Sequence, residues 1–167
     1  SRFGQVEFLT TIRFIEKYLK PGMKILEVGA GTGRYSHYFA RKGYTVHAVE
    51  LVERNIEGFK EKTLPGEDGT IVQGDAVNLH MLKDNEYDIV LHLGPMYHLS
   101  ADTERTAAVS EALRVTKPNG TVFMAYILNE MTVINYFFRN GHINEAEARE
   151  KIISSNWRFK ENKKRQL

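Results

Sequence analysis

The chain has 167 residues, of which 42% are hydrophobic and 26% charged, with a formal net charge of +2. This composition excludes a disordered chain and fits one globular domain. The small basic excess does not indicate a nucleic acid or a membrane as partner. Cysteine is absent, which excludes disulfides, thiolate metal sites and a cysteine nucleophile.

Segments typical of membrane insertion or secretion are not evident. The most apolar run, residues 121–128, is far shorter than the roughly 18 residues of a membrane-spanning helix. The first residues lack the apolar core and cleavage site of a signal peptide. We therefore expect a soluble, cytoplasmic protein.

Helical and strand patterns alternate along most of the chain. Apolar residues at spacings of three and four predict a helix over residues 5–19, which Pro21 and Gly22 end. Strands are predicted over residues 23–28, 44–50, 70–75, 87–94 and 121–127. Further helices are predicted over residues 34–42, 52–62 and 102–115, the last with Asp102 or Thr103 as N-cap and a turn at 117–120 after it. Five strands joined by helices predict an α/β fold, a doubly wound, mostly parallel sheet with helices on both faces.

The pattern changes after Leu128. Residues 129–139 and 144–155 predict two helices, and a basic polar tail follows them. We therefore expect a core over residues 1–128 and a helical extension of the same domain over residues 129–167. Ile134, Phe137 and Phe138 recur at helical spacing, which fits either a lid over a substrate or an ordinary core contact.

A turn rich in glycine follows the first predicted strand. Residues 25–36 read ILEVGAGTGRYS. Glycine here lets the backbone approach a ligand at the carboxyl edge of the sheet, where doubly wound folds bind their ligands. The dinucleotide fingerprint would require a third glycine at position 34, where the chain has Arg34, so a dinucleotide is not indicated.

The spacing Glu27-x-Gly29-x-Gly31-x-Gly33 resembles the first motif of class I S-adenosylmethionine-dependent methyltransferases. The resemblance covers residues 22–127 and implies a Rossmann-like fold with S-adenosylmethionine as cofactor. The cofactor-binding residues that it implies are Glu27, Gly29, Ala30, Gly31, Gly33, Arg34, Glu50, Leu51, Asp75, Ala76, Leu93 and Gly94.

Three of these residues have specific roles in the resemblance. Glu50 would accept hydrogen bonds from both ribose hydroxyls, Asp75 would bind the adenine amino group, and the amide of Ala76 would serve a ring nitrogen. Structural alternatives stay open, because Glu50 also fits a surface glutamate and Asp75 a turn or capping residue. Arg34 fits either the methionine part of the cofactor or solvent.

The segment after the fourth strand, residues 94–100, reads GPMYHLS and bears on the methyl acceptor. It lacks the Asp or Asn followed by Pro-Pro that members methylating nucleobases or glutamine carry, and it resembles a GPxYHL version of small bacterial methyltransferases. His98 is a candidate catalytic base for a hydroxyl or ammonium acceptor, or else a brace for the loop. Tyr97 would line the pocket. The other histidines show no metal-ligand spacing, so no metal is expected.

Methyl transfer to an oxygen or nitrogen of a small molecule is the predicted function. An RNA methyltransferase using the basic tail is one alternative, which the low net charge disfavours. A non-catalytic cofactor-binding module is another.

The last two strands usual in this family are not evident in the sequence. The fifth strand would then be an uncovered edge, which is a hazard for pairing with other chains. We expect residues 129–155 or a second chain in a homodimer to cover it. A truncated form of a longer protein is a further explanation.

Overall fold

The computed structural model describes residues 2–126 and Gly141. The predictions for residues 129–155, including those for Ile134, Phe137 and Phe138, lie outside the described residues. The helices are α1 (Arg2–Ile15), α2 (Arg34–Arg41), α3 (Glu53–Lys62) and α4 (Asp102–Val115). The strands are β1 (Lys24–Val28), β2 (Thr45–Glu50), β3 (Gly69–Gln73), β4 (Tyr87–His92) and β5 (Thr116–Met124).

The five strands form one parallel sheet in the order β3-β2-β1-β4-β5, which confirms the doubly wound prediction. The chain moves outward from β1 to β3 and then returns to the other side of β1 with β4. The strand order therefore reverses between β1 and β4. In doubly wound sheets a crevice opens at such a point, beyond the carboxyl ends of the two strands, and ligands bind there.

Helices cover both faces of the sheet. Ile25 packs on one face with Ile12 and Ile15 of α1 and Phe39 of α2. Leu26, the next residue along β1, packs on the other face with residues of α4. This alternation leaves β1 buried on both sides, as a central parallel strand should be.

Two helix boundaries differ from the sequence prediction. α1 ends at Ile15, and a turn in which the Tyr18 amide donates to the Ile15 carbonyl follows it. The N-cap of α4 is Ala101, whose amide donates to the Glu104 carboxylate at 3.4 Å, so the prediction of Asp102 or Thr103 was wrong. Asp102 lies in the first turn instead, where the helix dipole favours a negative charge.

Strand β5 begins directly after α4 instead of following a turn. Its pairing with β4 jumps from Tyr87 opposite Thr116 to Ile89 opposite Thr121. The predicted turn is therefore a bulge inside the strand, with Asn119 at a φ of 66°. Within the described residues β5 is an edge of the sheet, and the residues predicted to cover it lie outside them.

Candidate cofactor and acceptor site

The three glycines between β1 and α2 have positive φ angles of 71°, 56° and 80°, but they serve different purposes. A Cβ atom on Gly29 would lie 2.6 Å from Cγ of Pro95, and one on Gly33 would lie 2.3 Å from the Phe59 ring. On Gly31 it would meet no described atom within 4 Å. Packing therefore requires two of the glycines, whereas the space next to Gly31 holds no described atom.

The glycine loop, residues 29–33, is hydrogen-bonded to β2 and packs against the residues that follow β4. The amides of Gly29 and Ala30 both donate to the Val49 carbonyl of β2, at 2.8 and 3.2 Å. Gly94 also approaches the loop, since a Cβ there would lie 3.3 Å from the Gly29 carbonyl oxygen. The Gly94-Pro95 pair after β4 thus packs directly on the loop after β1.

Glu50 ends β2 with its side chain buried, with 6% of the residue exposed. One carboxylate oxygen accepts the Gly31 amide at 2.7 Å. The other accepts the Val52 amide at 3.0 Å and Asn55 Nδ2 at 3.2 Å. These bonds argue against the surface-glutamate interpretation and fix a negative charge beside Gly31. Leu51, next to it, is exposed.

Glu27 is also buried, with 4% exposed, and it anchors the start of α2. Its Oε2 accepts hydrogen bonds from the Ser36 amide, at 2.8 Å, and from the Ser36 hydroxyl. Burial raises the pKa of Glu27 to about 7, although the two Ser36 hydrogen bonds act to lower it. No described residue donates a hydrogen bond to its other oxygen, Oε1.

Asp75 and Ala76 lie after the carboxyl end of β3. The Asp75 carboxylate accepts the Val77 amide at 3.2 Å, and its carbonyl accepts the Asn78 amide at 3.0 Å. Asp75 thus has the turn role that was one of its two interpretations. Its binding of adenine stays a prediction.

The Arg34 side chain is directed to α1, which neither interpretation of it anticipated. Its guanidinium donates to the Gly4 carbonyl at 2.8 Å and lies 4.0 Å from the centre of the Phe8 ring. Tyr35, the next residue, donates its hydroxyl to the Glu7 carboxylate at 2.8 Å. Sequence reasoning missed Glu7, Asn55 and Ser36, because the helical periodicity of their segments carries no sign of partners this far away in the chain.

The segment after β4 forms a 3₁₀ turn, Pro95–Tyr97, beyond Leu93 and Gly94. His98 follows the turn and is exposed. No described residue hydrogen-bonds the His98 ring, so the brace interpretation has no support in the described part of the chain. Tyr97 is 44% exposed, and the pKa of its phenol is raised by partial burial and by the negative charge of Glu7.

The methyltransferase-domain family model matches residues 26–124, more than half of the chain. A demethylmenaquinone methyltransferase of Renibacterium salmoninarum is 33% identical over 63% of this chain and 41% of that protein. A ribosomal protein L11 methyltransferase of Dictyoglomus thermophilum is 30% identical over 89% of this chain and 48% of that protein. The chain therefore spans about half or less of the length of these relatives.

The crystal structure of the PH0226 protein from Pyrococcus horikoshii superposes on this chain with a TM-score of 0.72 and 24% identity, over 83% of this chain and 65% of that one. This likeness shows the same fold. Among the described residues, no helix has both the length and the apolar character needed to cross a membrane. The glycine motif and the family match agree, and the chain belongs to the methyltransferase-domain family of class I S-adenosylmethionine-dependent enzymes.

Proposed function

We propose that this chain transfers the methyl group of S-adenosylmethionine to a nitrogen or oxygen of a small molecule. The observation that carries the proposal is the pairing of Gly31, which is open to a ligand, with the buried carboxylate of Glu50 at 2.7 Å. Both lie at the carboxyl edge of the sheet, beside the point where the strand order reverses.

The residues present fit the cofactor. Three protein donors hold the Glu50 carboxylate, but its Oε2 accepts only the Gly31 amide and can still accept a hydrogen bond from a ribose hydroxyl. Asp75 after β3 offers a second carboxylate, for the adenine amino group. Glu27 offers Oε1 to the ammonium of the amino-acid part. Gly31 gives the backbone close access to the ligand, because a side chain there would project into the space that the ligand would fill.

S-adenosylmethionine supplies a methyl group on a sulfonium that is already activated to leave. The chain's own task is then to align the acceptor and to exclude water. His98, exposed and near the carboxyl end of β4, would remove a proton from an acceptor that must lose one. The enzymatic names of the relatives support catalysis over a non-catalytic module, and the low net charge argues against RNA.

Two measurements test the proposal. Calorimetry should detect S-adenosylhomocysteine binding, and NAD should bind more weakly or not at all. Incubation of the protein with methyl-labelled S-adenosylmethionine and a metabolite extract should give a labelled small molecule. Tighter binding of NAD would overturn the cofactor assignment, and binding without any labelled product would favour the non-catalytic module.

A further inference from the structure

Glu27 is a buried carboxylate of β1 that no cation in the described part of the chain neutralises. The residue is 4% exposed, and its Oε2 accepts the amide and the hydroxyl of Ser36. None of the ion pairs among the described residues includes Glu27. A carboxylate that leaves water loses free energy unless a positive charge or several hydrogen bonds stabilise it. Its Oε1 has no such donor among the described residues.

A second buried carboxylate, that of Glu50, lies beside Glu27. Glu27 pairs with Ala48 of β2, and Glu50 lies two residues further along that strand, so both glutamates are on the same face of the sheet. Glu50 has donors on both oxygens, the Gly31 amide at 2.7 Å and the Val52 amide at 3.0 Å. Hydrogen bonds to the charged form favour that form. Because Glu27 has donors on one oxygen only, it takes a proton more readily than Glu50.

The other elements around Glu27 bring no free positive charge to it in the described part of the chain. From β4 the paired residue is Leu91, which is apolar and buried, and His92 faces the other side of the sheet. The titratable side chains in the first turn of α2 have partners elsewhere. They are Arg34 with the Gly4 carbonyl, Tyr35 with Glu7 of α1, and His37 with Glu67.

This environment stabilises the protonated form of Glu27. Burial raises the pKa of Glu27 to about 7, and the charge of Glu50 acts in the same direction, although the Ser36 hydrogen bonds oppose it. Without a cation nearby, Glu27 is therefore protonated in about half of the molecules at pH 7. A cation that binds next to Oε1 changes this, since an opposite charge within about 4–6 Å favours the carboxylate.

We propose that binding of the cofactor expels a proton from Glu27. This inference rests on the cofactor site proposed above, in which Oε1 receives the ammonium of the amino-acid part. The O–H bond of the Glu27 carboxyl group breaks, the proton passes to solvent, and the resulting carboxylate pairs with the ammonium. The affinity for the cofactor is thereby coupled to pH near neutrality, and acid lowers it.

Calorimetry on the intact chain tests this coupling. The affinity for S-adenosylhomocysteine should rise about tenfold between about pH 6 and about pH 8, because Glu27 loses its proton over that interval in the free protein. At pH 7, titrations in buffers of different ionisation enthalpy should show about half a proton released per ligand bound. 5′-Methylthioadenosine has the nucleoside but no amino-acid part, so it should release no proton and bind equally well at both pH values.

Variants assign the proton to Glu27. Glu27→Gln keeps an acceptor for Ser36 but has no proton to lose, so its S-adenosylhomocysteine affinity should not rise with pH. Glu57→Gln, on the exposed surface of α3, should behave like the unchanged protein. Melting temperatures establish that the variants are folded. If Glu27→Gln does not fold, the comparison of the two ligands on the unchanged protein decides the matter.

The outcomes distinguish this inference from the function on which it rests. S-adenosylhomocysteine binding without proton release, or with the same release in Glu27→Gln or on binding of 5′-methylthioadenosine, would overturn the inference and leave the cofactor site standing. The absence of any S-adenosylhomocysteine binding would overturn the proposed function as well.

Discussion

Gly29 and Pro95 are 66 residues apart in the chain, yet a Cβ atom on Gly29 would lie 2.6 Å from Cγ of the Pro95 ring. This contact joins the loop after β1 to the loop after β4 across the crevice. Because Gly29 has no side chain, the two loops can lie in direct contact, and any side chain at position 29 would force them apart.

Alanine substitutions should distinguish a glycine needed for packing, Gly29, from a glycine needed for cofactor binding, Gly31. Gly29→Ala should lower the melting temperature markedly, because its methyl group overlaps Pro95 and its φ is positive. Gly31→Ala meets no described atom and should cost only about 1–2 kcal/mol from its positive φ. It should nevertheless lose most S-adenosylhomocysteine binding. Thermal unfolding and calorimetry on both variants check this, and normal affinity in folded Gly31→Ala would contradict the assignment of Gly31.

Removal of the Glu50 carboxylate should weaken cofactor binding, and it should also lower the melting temperature, because the Gly31 and Val52 amides lose their acceptor. Affinity is therefore measured at a temperature where the variant is folded. Hydrogen bonds to charged groups are worth about 1.5–3 kcal/mol each, so Glu50→Ala should reduce S-adenosylhomocysteine affinity at least about tenfold. Glu57→Ala, on the exposed surface of α3, is the matched control and should bind normally. A loss under threefold in Glu50→Ala would refute the ribose role.

Glu27 should make stability depend on pH. Its pKa is raised to about 7 in the folded protein from an ordinary value of 4.5, so the folded state binds the extra proton. This contribution is fully present below about pH 4.5 and is lost as the pH rises through about 7, and it amounts to at most about 3 kcal/mol. Glu27→Gln, which mimics the protonated form, should flatten that part of the profile. Urea unfolding from pH 5 to 8 measures it, and identical profiles for both proteins would contradict the assignment.

Substitution of His98 should lower the rate of methyl transfer and leave stability and cofactor affinity unchanged. Its ring is exposed and receives no hydrogen bond from a described residue, so His98→Asn should leave the melting temperature and S-adenosylhomocysteine affinity unchanged. Labelling of the acceptor should fall by about a hundredfold or more if the acceptor must lose a proton. His80→Asn, at another exposed histidine, serves as control. A fall in melting temperature with full turnover per folded molecule would instead identify His98 as a structural brace.

His92 should be a weak point of the core. It is completely buried at the end of β4, and neither ring nitrogen has a hydrogen-bond partner among the described residues. Burial lowers the pKa of His92, which favours the neutral ring. His92→Leu should therefore raise the free energy of unfolding, by about 1 kcal/mol or more, as measured in urea. A lower free energy of unfolding for His92→Leu would contradict this, because it would show that the His92 ring has a hydrogen-bond partner.

The sequence by itself determined the sheet and the family. The alternation of apolar strands with amphipathic helices depends on spacings of two to four residues, so it is readable locally and predicts the parallel sheet around β1. The glycine motif and Glu50 were likewise recognisable, because short spacings place them at strand ends. The predicted N-cap of α4 failed because Asp102 suits the first helical turn as well as the cap itself.

The tertiary structure alone decided what each of these residues contacts. Pro95 and Phe59 leave no room for a side chain at Gly29 and Gly33, respectively. The Arg34 guanidinium donates to a carbonyl of α1. These partners are all far away in the chain. Glu7 carried no signal in the sequence, since an exposed glutamate on an amphipathic helix is ordinary. Its hydrogen bond from the Tyr35 hydroxyl exists only because folding packs α1 against the start of α2. Local periodicity specifies which face of a helix or strand is buried. Only the packing of elements that are distant in the chain decides which residues contact that face.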